Sequence, residues 1–429
     1  MNRRDLLATS AAALAATALP AMAKAHTAAK TPAGASMSNA PIPPVAKKIP
    51  VTIEQLGRTR TDDYQWMKDD NWQQVLRDPS IIKADVKEHL NAENAYREAM
   101  MRSTEPLQLE LFEEMKGRIK EDDSSVPLPD GPWEYYTRFE TGQQHPLYCR
   151  RPRRDSTSDE LTVSGSGNLY PAGFTSGQGP AVVSDGEQIL LDANKLAEGK
   201  AYSSVGDTGH SRDHALFGYA EDAQGSEVYR IYVKDIASGE FLGETIESAM
   251  GGFVFSADGQ WIFWVNRDDN GRSDKILKRL VRGGEITTVY EEPDDGMYMG
   301  LGVSSDDKFI LITSGNGEQT EYRFVPSDRP ETTPVVIEPR REAVRYDADH
   351  WGDRWVIRTD ADGAVDFKIV TAPTDAPGRT NWTDLVPFTE GRLIESVTPF
   401  AGHLARVERF DANTRIVIRT RAGEEHAIA

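Results

Sequence analysis

The chain is predicted to be mainly β: a propeller of four-stranded blades behind a helical N-terminal segment. Two patterns lead there. A short acidic turn recurs in copies 48 residues apart, each running into an apolar strand. Ahead of the first copies, apolar residues recur at helical rather than alternating spacing. With 35 Gly and 24 Pro among 429 residues, the composition suits strands joined by tight turns better than a helical bundle. At that length more than one structural unit, or one large repeat fold, is expected.

Residues 1–23 read as an export signal. Arg3 and Arg4 precede a mild, Ala-rich apolar run that ends in Pro20-Ala21-Met22-Ala23. A basic start, a short apolar stretch and an Ala-x-Ala site define a signal peptide, and the arginine pair resembles a twin-arginine signal, which places the mature chain in the periplasm. The run is too short to span a bilayer comfortably, so no membrane attachment is expected after its removal. Residues 24–45, rich in Ala, Thr, Pro and Ser, read as a linker.

Residues 46–121 read as a mainly helical segment. Ile82, Val86, Leu90 and Ala95 follow helical spacing over residues 80–102, with Ser80 placed to cap the start. A second helix is expected over 104–120, with Pro106 in its first turn and Leu111, Phe112, Met115 and Ile119 on one side.

From residue 122 to 429 the pattern is that of a propeller. Phe255-Ser256-Ala257-Asp258-Gly259, Val303-Ser304-Ser305-Asp306-Asp307 and Trp351-Gly352-Asp353-Arg354 repeat at 48 residues. His210-Ser211-Arg212-Asp213-His214 lies 45 residues before them and Phe400-Ala401-Gly402-His403 lies 49 after. A period in the forties built from strands matches propeller blades; a β-helix needs a shorter repeat and sandwich domains a longer one. With the unit at residues 133–192 as the first, about six blades are expected.

The formal charge of -19 argues against a nucleic-acid partner, since that binding draws on clustered Lys and Arg. A field of this sign either attracts short cationic peptides and repels anionic ones or serves only solubility. Cys149 is the single cysteine, so no internal disulfide is available, and its alternating strand context reads as packing rather than catalysis.

Pro43-Pro44-Val45-Ala46-Lys47-Lys48-Ile49-Pro50, then Gly57-Arg58-Thr59-Arg60-Thr61-Asp62-Asp63-Tyr64-Gln65-Trp66-Met67-Lys68-Asp69-Asp70, closely resembles the opening of the oligopeptidase B branch of the prolyl oligopeptidase family. Leu190-Leu191-Asp192-Ala193-Asn194-Lys195, Val289-Tyr290-Glu291-Glu292-Pro293-Asp294-Asp295, Pro339-Arg340-Arg341 and Tyr346-Asp347-Ala348-Asp349-His350 resemble propeller landmarks of the same family. The resemblance runs from residue 43 to the end. It implies a seven-bladed propeller that caps an α/β-hydrolase domain and admits short peptides, with cleavage after Lys or Arg. It also implies that the helical segment packs on that hydrolase domain, which follows the propeller with its nucleophile, acid and histidine. On this reading the chain is a C-terminally incomplete propeller, about six of seven blades, and inactive alone.

The residues themselves agree. An α/β-hydrolase nucleophile sits in Gly-x-Ser-x-Gly, and no serine here has both glycines; Ser211 comes nearest, in a blade turn. The histidines His26, His89, His145, His210, His214, His350, His403 and His426 are scattered, and the four-residue spacing of His210 and His214 makes a zinc pair on a helix rather than in a turn. Asp349-His350 reads as a capped turn. Catalytic, cofactor and metal residues are therefore all expected to be none. Two other classes of function remain. One is a glycosidase using paired acids such as Asp122-Asp123, Asp268-Asp269, Asp294-Asp295 or Asp306-Asp307, although adjacent acids on a strand point to opposite faces. The other is a free-standing periplasmic propeller that binds a partner, which would have no need of the helical segment.

Overall fold

The computed structural model describes residues 41–153 and 186–428. The export signal and most of the linker lie outside the described residues. The N-terminal segment opens with a hairpin, β1 (Val51–Gln55) and β2 (Arg58–Asp62), which the helical reading missed. Its two-residue loop holds Leu56 and Gly57 both at positive φ, the arrangement whose twist matches a hairpin. Helices α1 (Trp72–Arg77), α2 (Ala84–Met101) and α3 (Glu105–Gly117) follow.

The start of α2 corrects the expected cap. Ser80 sits instead in a single 3-10 turn, Pro79–Ile81, where the Asp78 carboxylate accepts from its backbone N–H at 3.0 Å and its hydroxyl at 2.6 Å. The helix itself begins four residues later without a side-chain cap. Neither α2 nor α3 contains a buried residue, so this arm lies on the surface. It is tied to the propeller through α1, where Arg77 pairs with Asp269 at 2.6 Å and Gln73 donates to Asn270 at 2.8 Å.

Six blades follow. Blade 1 is β3 (Leu128–Asp130), β4 (Trp133–Arg138), β5 (Leu147–Pro152) and β6 (Gln188–Asp192), then a short helix α4 (Ala193–Ala197). Blade 2 is β7 (Ser204–His210), β8 (Leu216–Asp222), β9 (Tyr229–Asp235) and the start of β10 (Ile246–Phe255). Blade 3 uses the end of β10, then β11 (Trp261–Arg267), β12 (Ser273–Leu280) and β13 (Thr287–Glu291). Blade 4 is β14 (Tyr298–Val303), β15 (Phe309–Gly315), β16 (Thr320–Pro326) and β17 (Val335–Glu338). Blade 5 is β18 (Tyr346–Trp351), β19 (Arg354–Thr359), β20 (Lys368–Pro373) and β21 (Thr383–Val386). Blade 6 is β22 (Arg392–Pro399), β23 (His403–Phe410), β24 (Asn413–Thr420) and β25 (Glu425–Ile428).

Blades 2 and 3 are joined in one seven-stranded sheet because β10 serves both. Ile246 faces Ile231 of β9, whereas Phe253 faces Trp264 of β11, and the bend between them falls at Ser248 and Gly251, both at positive φ.

The cores lie between blades, and strand alternation puts them there. On β15, Phe309 and Leu311 pack with Tyr346, Trp355 and Ile357 of blade 5, while Ile310 and Ile312 pack with Val254, Phe263 and Ile276 of blade 3. Likewise Trp355 and Ile357 face blade 4 and Val356 faces Ile394 and Leu404 of blade 6. A second strand buried on both faces must be apolar throughout, which is why Trp261-Ile262-Phe263-Trp264-Val265 and its counterparts read as unbroken runs. The first strands make many of the contacts between blades, β18 touching both β16 and β22, and the fourth strands lie outermost, β25 exposed along its length.

Candidate functional site: the first-turn face of the propeller

Each blade's first turn, linking strand one to strand two, opens on the same face. Three of these turns are built identically. The Ser304 hydroxyl donates to Asp306 at 2.9 Å and accepts the Phe309 N–H at 3.1 Å. Ser256 does the same with Asp258 and Trp261, at 2.5 and 3.0 Å, and Ser211 with Asp213 and Leu216, at 2.5 and 2.9 Å. Both lone-pair and proton capacity of Ser211 are thus spent inside its own turn, and its oxygen is buried. It has the role of its two counterparts.

Asp349 and His350 form something larger than a capped turn. His350 Nδ1 lies 2.7 Å from Asp306 Oδ2 and Nε2 lies 2.8 Å from Thr374 Oγ1, while Asp349 accepts from Ser305 N and Oγ at 2.8 and 2.5 Å. These contacts lock the first turn of blade 4 to blade 5. Burial alone would raise the Asp306 carboxyl, but the hydrogen bond and charge of His350, with Ser304 and Lys308, hold it down at about 2. Of the adjacent acid pairs, Asp306 and Asp307 diverge: burial and the charge of Asp130 push Asp307 up to about 6.

Cys149 is buried on β5, and desolvation pushes its thiol up to about 12, leaving no thiolate for chemistry.

The first turns of blades 1 and 2 bring together residues that the sequence left apart. His210 ends β7, and His214, at φ +60, turns back so that the two rings lie 5.0 Å apart. Tyr135 of β4 stacks on His210 at 4.1 Å, and its hydroxyl lies 2.8 Å from His214 Nδ1. Asp130, at the end of β3, places Oδ2 at 3.3 Å from His210 Nε2. One ligand atom from each of Asp130, His210 and His214 lies within 4.8 Å of the others. Spacing within one turn did not suggest this, because the third member comes from another blade.

Opposite in character is the arm. Leu107, Leu111, Phe112 and Met115 share one side of α3, and Ile119 follows it; they are 45–67% exposed.

The fold and the site define a class: a stacked-blade propeller with a helical arm, whose nucleophile-like serine is a turn residue. The chain belongs to the prolyl oligopeptidase family through the family's N-terminal β-propeller domain, whose model matches residues 43–428. It is 39% identical over 389 residues to the dipeptidyl aminopeptidase BI of Pseudoxanthomonas mexicana, covering 89% of this chain and 50% of that protein. Protease 2 of Moraxella lacunata is 27% identical over 379 residues, covering 87% and 49%. Among solved structures, oligopeptidase B from Leishmania major superposes with a TM-score of 0.76 at 25% identity, over 91% of this chain and 53% of that one. The chain spans about half the length of these curated relatives.

Proposed function

We propose that this chain is the substrate-gating propeller of a serine peptidase related to oligopeptidase B, working against an α/β-hydrolase domain docked on its helical arm. The apolar side of α3 carries the reading. Leu107, Leu111, Phe112, Met115 and the following Ile119 form a stripe that nothing among the described residues covers, and water-facing stripes of this kind mark contact surfaces. The curated relatives are about twice as long, which leaves room for a further domain to cover it.

The chemistry then belongs to the hydrolase domain, and this chain alone is inactive. Purified residues 24–429 are expected to give no serine-inhibitor-sensitive hydrolysis of Arg or Lys anilides. The DNA beyond the Ala429 codon is expected to encode a Gly-x-Ser-x-Gly elbow, then an acid and a histidine. Unrelated sequence there, with a soluble and cooperatively folded chain, would favour a free-standing binding propeller instead.

Two cleavage modes are open to the whole protein. Resemblance to oligopeptidase B points to cleavage after Lys or Arg within short peptides. The higher identity to a protein named dipeptidyl aminopeptidase favours release of dipeptides from a free amino terminus. An N-blocked Arg anilide against a free-amine dipeptidyl anilide separates the two. In either mode the acidic propeller draws cationic peptides inward, so the full protein's kcat/KM for them should fall as salt screens the field. The twin-arginine signal directs export: Arg3→Lys with Arg4→Lys should hold the protein in the cytoplasm, and undiminished periplasmic recovery would count against that route.

A further inference from the structure

The contact between Asp130 and His210 pairs two groups that are both acceptors when the ring is neutral and the carboxyl ionised. His210 Nδ1 lies 3.0 Å from the Ser211 carbonyl oxygen, which only accepts, so Nδ1 carries the ring's proton. In the neutral ring Nε2 is then a bare lone pair, and it faces a carboxylate oxygen of Asp130 at 3.3 Å, another acceptor. Two acceptors at that range need a proton on one of them or a metal ion between them.

Three features favour the ion. A third donor is at hand, since a ligand nitrogen of His214 lies within 4.8 Å of the other two atoms. The space is kept open by Gly131, where an added Cβ would come within 2.5 Å of His214 Nε2. The other nitrogen of that ring has a fixed partner, Tyr135 Oη at 2.8 Å, which can accept its N–H as the outer hydrogen bond of a metal-bound histidine does. Ligands on a tetrahedral zinc at about 2.0–2.1 Å lie roughly 3.4 Å apart, so the Asp130–His210 pair is already spaced for it and His214 must close in by on the order of 1 Å. The nearby charges oppose one another, Asp213 and Asp307 against Arg150 and Arg212, so selection rests with the ligands.

We propose that Asp130, His210 and His214 bind one divalent d-block cation of the zinc type, stapling the first turns of blades 1 and 2. Two imidazoles and one carboxylate suit zinc, nickel or copper rather than magnesium or calcium, which take oxygen ligands. Water completes the coordination.

The test uses the chain from residue 24, stripped by chelator and gel-filtered, then titrated with zinc chloride. One equivalent should bind, with a rise in Tm. Asp130→Asn and His214→Gln should each weaken that equivalent about tenfold or more. Should either variant fail to fold by circular dichroism, cobalt(II) on the unaltered chain decides. It should give the visible bands of a four- or five-coordinate site without a thiolate charge-transfer band. No binding by the unaltered chain, or equal binding by both folded variants, overturns the proposal and leaves Asp130 and His210 as a proton-held pair.

Discussion

Asp207, on the first strand of blade 2, illustrates how a single side chain senses the ring. Burial pushes its carboxyl up to about 7 from 3.8, against the pull of the Thr208 and Phe253 N–H groups. A carboxyl raised in this way favours the folded state while protonated, and the advantage disappears as pH rises through 7. Asp207→Asn keeps an oxygen for those donors and removes the charge. The variant should match the parent near about pH 4 and gain on the order of 1–3 kcal/mol near pH 8. Urea unfolding at both pH values measures this; an equal difference at the two would exclude the carboxylate as its cause.

The repeated serine–aspartate turn joins the first strand to the second in blades 2, 3 and 4. In Ser304 the hydroxyl both donates to Asp306 and satisfies the Phe309 N–H, and the serine is wholly buried. Ser304→Ala strands that N–H partner and should cost on the order of 1–3 kcal/mol. Ser256→Ala and Ser211→Ala should cost similar amounts, since their turns repeat the geometry. A loss below half a kcal/mol in thermal or urea unfolding, by contrast, is about what an ordinary surface change costs, and would mean that the backbone alone holds the turn. The second strands add the complementary lesson: with both faces buried against different neighbours, no blade folds its core by itself.

Across the propeller, polar clamps supplement those shared cores. Glu292, just after the last strand of blade 3, accepts from Arg340 of blade 4 at 2.7 and 3.0 Å and from Ser314 at 2.5 Å. Burial would raise Glu292, yet the Arg340 and Ser314 hydrogen bonds hold it at about 2, below its ordinary 4.5. Its contribution is therefore complete above that ordinary value and is lost as pH falls toward 2. Arg340→Ala leaves the carboxylate buried without its partner and should cost about 3–5 kcal/mol at neutral pH. The deficit should shrink on acidification, because the parent loses the same clamp; a deficit constant with pH in acid-range melts would assign the effect to packing.

Much of this architecture is legible in the sequence. The blade period, the serine–aspartate turns and the apolar second strands are local patterns, since a blade is one continuous stretch whose strands pair with their sequence neighbours. The family wording around Tyr64 and Trp66 is legible for the same reason. Other features are not. Helical spacing could not mark where α2 starts, because Asp78 claims Ser80 for a separate turn, nor could it register the β1–β2 hairpin. The sharing of β10 between two blades follows from a backbone bend that leaves no periodic signal. The Asp130, His210 and His214 cluster joins two histidines of one turn to an aspartate of another blade, and that distance arises only when the two blades pack side by side. Periodicity records which way a side chain points within its own strand; which atoms it meets depends on the neighbouring blade, and that is settled by the packing of the ring.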